Sequence, residues 1–390
     1  MAVDKLQITQ SRDVPRVLIV STRAGTGHVK AAEALEKAFR QRYPDFVVKR
    51  IDLLDYCAFA ARQLYGGAYG WVAKNCPTLY GYLYSGSKSV QSAHDLRMWF
   101  DRLNAASFFR LLAAFRPDAV VSTHFIPANL TAEYQERRRH DLRVFLTLTD
   151  YEVHPFWLVA HGHVEGYSVA HKQMKHELAR LGVPGDSILD AGIPIDPVFM
   201  QGKDRRELRR TYGLKETSPV ILLMAGWNFR ASTVERMIDH LGMVDGEFQL
   251  IVLTGRNREL YERVKAKQSR ERRIASVFEF IDFVENLMRL SDILISKPGG
   301  ITTAESLAAG LPMIVVDPIP GQEEANSDYI LENGAGLKAR SLEGLVFKIN
   351  HLVADPARLA RIRQNIRKIA RPDAAFSIAD AVARSLSLTP

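Results

Sequence analysis

The sequence predicts an α/β protein: two Rossmann-like domains, each a parallel sheet with helices, facing a cleft. Three observations carry this. Short runs rich in β-branched residues recur along 390 residues, longer segments of helical pattern separate them, and they fall into two sets of similar length. Alternating strands and helices imply parallel pairing through right-handed crossovers. In the first set we read strands at Val17–Ser21, Val47–Ile51, Ala119–Ser122, Val144–Leu148 and Gly166–Val169. The second set is Val220–Met224, Gln249–Leu253, Val277–Ile281, Ile293–Ile295 and Met313–Val316. Between them, "GIPIDPVF" (Gly192 to Phe199) has two prolines and little periodicity, which suits a linker.

Composition narrows the classes of function. With 47% apolar and 25% charged residues the chain reads as globular and not disordered. Its two cysteines, Cys57 and Cys76, make no disulfide framework and no CxxC metal pair, and a reducing compartment is expected. The first fifteen residues lack the apolar core of a signal peptide and no run is long enough to span a membrane, so we expect a cytoplasmic protein. A net charge of +8 calls for an anionic partner: nucleic acid, anionic lipid or a phosphorylated substrate. In "ARLARIRQNIRKIAR" (Ala357 to Arg371), Ile362, Ile366 and Ile369 repeat at helical spacing beside Arg and Lys. Such a helix either lies on an anionic membrane or packs its isoleucines on the core.

In a doubly wound sheet, ligands bind beyond the carboxyl ends of strands. The first such loop, "VLIVSTRAGTGHVKAAEALEKAF", turns at Gly25 and Gly27 and enters a helix near His28. Asp52 ends the next strand where a dinucleotide-binding protein has its ribose acid, but Lys30 replaces the third glycine of that fingerprint. The helix dipole keeps His28 neutral, which suits a general base. In "LTLTDYEVHPFW", Asp150 and His154 follow a strand as a base and its orienting partner, or, with His161 and His163, as metal ligands without an established zinc spacing. His124 ends another strand. Aromatic residues crowd Tyr56 to Phe100, among them Tyr69, Trp71 and Tyr82, as in a membrane- or acceptor-binding insertion or an aromatic-packed helical region.

"SKPGGITTAESLAAGLP" places Pro298, Gly299 and Gly300 between strand and helix, where backbone N–H groups meet phosphate, with Glu305 nearby for a ribose hydroxyl. Thr302-x-x-Glu305 also fits a capping box. One strand on, "PGQEEANSDYI" offers Gln322, Glu323 and Asn326, the mixed donors and acceptors that read sugars.

Together these stretches resemble the bacterial and plastid glycolipid synthases: the processive diacylglycerol glycosyltransferases and monogalactosyldiacylglycerol synthase, with the peptidoglycan N-acetylglucosaminyltransferase a more distant relative. The resemblance covers roughly Pro15 to Lys338. It implies the B-type glycosyltransferase (GT-B) fold: an acceptor- and membrane-binding domain over 1–196, a UDP-sugar-binding domain over 197–371, and a final helix, 372–390, crossing back to the first. It further implies that Gly299, Gly300 and Thr302 meet the diphosphate and Glu305 the ribose. Ile281 would pair with uracil through its backbone, and Gln322 and Glu323 would read the sugar. Gly27 and His28 would lie near the acceptor hydroxyl, with Tyr69, Trp71, Tyr82 and His154 on the acceptor or membrane side. In "MAGWNFRAS" only Gly226 keeps the family's glycine-rich turn, and Trp227 is placed to shape the sugar pocket.

The expected reaction is inverting transfer of glucose or galactose from UDP-glucose or UDP-galactose to diacylglycerol, or to monoglycosyldiacylglycerol in a second round. His28 is the expected base and Asp150 the second choice. No metal, no cofactor and no nucleic acid are expected, and the protein would attach peripherally to the anionic inner face of the cell membrane. The alternatives are a UDP-sugar 2-epimerase on the same scaffold, a nicotinamide oxidoreductase, and a sugar-nucleotide sensor that does not turn over.

Overall fold

The structure is a computed structural model, and it describes residues 14–23, 25–57, 106–138, 142–158, 160–226 and 229–387. Among the described residues, two six-stranded, wholly parallel sheets organise the fold. The N-terminal sheet contains β1 (Arg16–Ser21), β2 (Val47–Asp52), β3 (Ala119–Ser122), β4 (Arg143–Thr147), β5 (Gly166–Val169) and β6 (Ile188–Asp190), in the order β2-β1-β3-β4-β5-β6. The C-terminal sheet contains β7 (Val220–Met224), β8 (Gln249–Leu253), β9 (Ile274–Phe278), β10 (Ile293–Ser296), β11 (Met313–Val316) and β12 (Gly336–Ala339), in the order β12-β11-β10-β7-β8-β9. Strands such as Val17–Val20 and Ile293–Ile295 are buried throughout, which is why they read as unbroken apolar runs and not as alternating ones.

Three strand readings are corrected. The strand placed at Val277–Ile281 runs instead over Ile274–Phe278, because pairing with β8 begins at Ile274 and the chain turns away at Glu279. The edge strands β6 and β12 were not anticipated: three residues ending in a carboxylate, and Gly-Leu-Lys-Ala, carry little apolar signal. The isoleucine stripe of the Pro356–Ile369 helix is also settled, since Ile362 and Ile366 are buried and Ile369 packs on the core. That helix lies on its own protein. Among the described residues no helix is long and apolar enough to cross a membrane.

Both sheets reverse direction of winding at one point, β1/β3 in the first and β7/β10 in the second. Loops splay apart there and leave room for a ligand. At Gly192, between the halves, φ is +93° and a Cβ would lie 2.5 Å from Cβ of Arg371, so only glycine lets the returning chain pass. The Ala374–Ser387 helix then buries Ala375, Ile378, Ala379 and Val382 against the N-terminal core beside Leu35, Ala38 and Phe39. Asp380 secures it, accepting from Tyr43 Oη at 2.8 Å and pairing with Arg42 at 3.2 Å.

Candidate active site

The loops at the two switch points meet. The Thr26–Arg42 helix follows β1, and His28 stands in its first turn. His28 Nδ1 lies 2.8 Å from the carbonyl oxygen of Thr123, after β3, and 2.9 Å from Thr149 Oγ1, after β4. A carbonyl oxygen only accepts, so Nδ1 carries the proton and Nε2 keeps its lone pair, the arrangement a general base requires. Burial holds this imidazole below the ordinary histidine value, and the neighbouring Asp150 charge pulls the other way. His124 stacks edge-on at 4.7 Å between ring centres, and its Nδ1 accepts the Ile126 N–H at 3.2 Å. Burial keeps His124 neutral as well.

Asp150 is buried beside His28. Burial raises its carboxyl above the usual range, while His28 and hydrogen bonds from Gln322 and Asn326 oppose that rise. The charge of His28 thus reaches Asp150 from the facing helix. His154 is buried, and its Nδ1 accepts the Phe156 N–H at 3.3 Å. Among the described residues no three His, Cys, Asp or Glu side chains gather as metal ligands.

The C-terminal half meets this corner through the Gly300–Ala308 helix. Gly299 is its N-cap and no side chain caps it, so its first N–H groups remain open to an anion. Because the helix starts at Gly300, Thr302 lies inside the first turn and is no N-cap; Thr302-x-x-Glu305 is not a capping box. Glu305 is part-buried, and burial pushes its carboxyl up to about 8 despite Lys30 nearby. Gly300 is in closest contact with the other half: a Cβ there would lie 2.0 Å from the Thr149 carbonyl oxygen and 3.3 Å from Asp150 Oδ1. At Gly27 a Cβ would meet Ile301 Cγ1 at 3.5 Å, so the two helix starts face each other.

Gln322 opens the Gln322–Glu332 helix and hydrogen-bonds Asp150. Glu323 accepts the Ile319 N–H at 2.7 Å, and burial lifts its carboxyl to about 7. Lys297 pairs with Asp317 at 3.0 Å and stands 5.0 Å from the centre of the Phe229 ring. Ile281 lies in the loop three residues past β9. At Gly226, after β7, a Cβ would meet nothing. Beside that loop is a cavity of about 520 Å3 lined by Phe229, Arg230, Ser232, Arg256 and Arg258, which gives it positive charge. Asp52, the dinucleotide-type ribose acid, instead accepts the Leu54 N–H at 2.8 Å as a cap. Tyr69, Trp71, Tyr82 and Trp227 lie outside the described residues.

Sequence reasoning did not single out Thr149, Tyr151, His171 or Tyr329. Thr149 orients His28. Tyr329 stacks on both Tyr151 and His171, 4.5 Å between ring centres in each pair, across the two halves. Nothing in the spacing of these residues signals such contacts, because they join elements far apart in sequence, Thr149 and His28 being 121 residues apart.

Residues 28–195 match the monogalactosyldiacylglycerol (MGDG) synthase family, and residues 204–369 match the glycosyl transferases group 1. The chain is 29% identical over 375 residues to a processive diacylglycerol beta-glucosyltransferase of Bacillus cereus (strain AH187), covering 94% of this chain and 93% of the relative. It is 27% identical over 357 residues to the enzyme of the same name from Bacillus subtilis (strain 168), covering 91% of each. Among solved structures it resembles MurG of Acinetobacter baumannii, with a TM-score of 0.61 and 14% identity over 95% of this chain and 99% of that one. It also resembles a putative UDP-N-acetylglucosamine 2-epimerase of Listeria monocytogenes, with a TM-score of 0.63 and 13% identity over 97% and 98%. These likenesses establish the GT-B fold, which transferases and epimerases share. The N-terminal half is thus similar to the MGDG synthase family and the C-terminal half to the glycosyl transferases group 1.

Proposed function

We propose that this chain is a glycolipid synthase that transfers a hexose from a UDP-sugar to the hydroxyl of diacylglycerol with inversion. The observation that carries this is the near full-length similarity to processive diacylglycerol beta-glucosyltransferases, which spans both halves. The relatives' name favours UDP-glucose as donor, a β-linked product and a second round on monoglucosyldiacylglycerol. The epimerase reading has only the shared fold behind it.

In this reading 1–196 hold the acceptor, 197–371 hold the UDP-sugar, and 372–390 fasten the halves together. The donor diphosphate lies over the N-terminus of the Gly300–Ala308 helix, with Lys297 adding charge and Glu305 on the ribose. Ile281 faces the base, and Gln322 and Glu323 the sugar. The acceptor oxygen attacks the anomeric carbon as the bond to the diphosphate breaks, through an oxocarbenium-like transition state. UDP departs with the bonding electrons, and His28 Nε2 takes the hydroxyl proton. The charge on UDP is met by backbone N–H groups and lysine, so the reaction needs no cofactor. The acceptor is a membrane lipid, and the chain's excess of basic residues together with the aromatic Tyr56–Phe100 segment brings the protein to the anionic cytoplasmic face.

The test is to incubate the protein with diacylglycerol vesicles and UDP-glucose or UDP-galactose in separate reactions. Lipid extracts then go to mass spectrometry and the anomeric configuration is read by NMR. β-Glucosyldiacylglycerol is expected, and absence of hexosylated lipid with either donor contradicts the reading.

A further inference from the structure

Asn326 is wholly buried in the Gln322–Glu332 helix of the C-terminal half. A buried primary amide is costly unless its donors and acceptor are met, and here they are met from both halves. Asn326 Oδ1 accepts the Tyr151 N–H at 2.9 Å, and Nδ2 donates to the Pro298 carbonyl at 2.9 Å. The same side chain hydrogen-bonds the Asp150 carboxylate. One amide thus ties the loop after β4 to the loop after β10, at the corner where Gly300 touches Thr149. Three residues further along the same helix, Tyr329 continues the seam by stacking on Tyr151.

We propose that Asn326 is a positioning residue for the transfer reaction, holding Asp150 against His28 and fixing the two halves in their closed register. This rests on the transferase reading above. Asn326 moves no proton itself. Asp150 is faced by His28 from the Thr26–Arg42 helix, by Glu152 from its own loop and by Glu323 from the Gln322–Glu332 helix. Two of these three are acids, so a carboxylate that loses its amide donor takes up a proton more readily and no longer supports His28.

The test compares wild type with Asn326→Ala and the milder Asn326→Ser for kcat, KM and pH profile, with UDP binding followed calorimetrically on the same preparations. For Asn326→Ala we expect kcat to fall by about 10- to 100-fold. KM for the UDP-sugar changes little, and the acid limb of the kcat profile moves up by about one unit. Asn326→Ser falls between the two. Folded variants with wild-type kcat and an unmoved acid limb overturn the role, as does a lowered melting temperature with the pH profile unchanged. A wild-type protein that binds UDP but makes no glycolipid overturns the reaction itself, and this role with it.

Discussion

Gly300→Ala tests whether the halves must meet as closely as they do. The added Cβ would lie 2.0 Å from the Thr149 carbonyl oxygen and 3.1 Å from its carbon, and both partners are backbone atoms. No side-chain rotation relieves this, so the Thr149 loop must retreat by about 1 Å. Thr149 Oγ1 holds His28 Nδ1 at 2.9 Å, and a retreat of that size breaks the contact and shifts Asp150 with it. A misplacement of about 1 Å at a reacting group costs roughly 100-fold in rate, or about 2.7 kcal/mol. Gly300 opens the helix and is not interior to it, so the gain from Ala there is smaller than the about 0.5–1 kcal/mol of a helix interior. The expected signature is a large fall in kcat with UDP binding retained and no matching fall in melting temperature. Steady-state kinetics on diacylglycerol vesicles, calorimetry with UDP and a thermal melt read all three. A kcat within twofold of wild type would refute the reasoning, because the working enzyme would then not use this contact.

Other predictions follow from the same geometry. His28→Ala should lower kcat by about 10²- to 10⁴-fold with UDP affinity unchanged; equal loss of binding would mean that His28 holds the donor half and is no base. Glu305 should affect stability with a definite sign. Its folded carboxyl is pushed up to about 8 from an unfolded value near 4.3, so wild type loses stability as pH rises through that window and Glu305→Gln does not. The melting-temperature gain of Glu305→Gln should therefore grow from about pH 5 to about pH 8, and a constant difference would show that the carboxyl titrates normally. Asp292 accepts from Arg205 at 2.6 Å, Arg209 at 2.7 Å, Arg363 at 2.9 Å and the Val220 N–H at 2.9 Å. Asp292→Ala strands three guanidinium groups and should cost about 3–5 kcal/mol in urea unfolding; a loss under 1 kcal/mol would mean that solvent replaces the carboxylate.

Much of this architecture is legible in the sequence because parallel strands buried on both faces leave unbroken apolar runs, as at Val17–Val20 and Ile293–Ile295. The edges are less legible. Strand Ile188–Asp190 needs only one neighbour and ends in a carboxylate, so its three residues carry almost no pattern. The end of β9 was misplaced for a related reason: Phe278, Phe280 and the alternation around them extend the strand pattern past the turn that stops pairing. At the site, His28, Asp150, Gly300 and Gln322 are each conspicuous as residue types after a strand. Their convergence is a property of the two switch points, which only the strand order reveals. Asn326 shows the limit most clearly. Its amide reads as a sugar-recognising group, and in the folded chain that amide spans the two halves.

The central claim is most directly tested by following UDP release and lipid hexosylation together, on diacylglycerol vesicles, for wild type and His28→Ala side by side. The account predicts one hexose added to lipid for each UDP released by wild type, and both signals lost together in the variant while UDP still binds. UDP released without glycolipid, or recovery of the donor as an epimerised UDP-sugar, would contradict it.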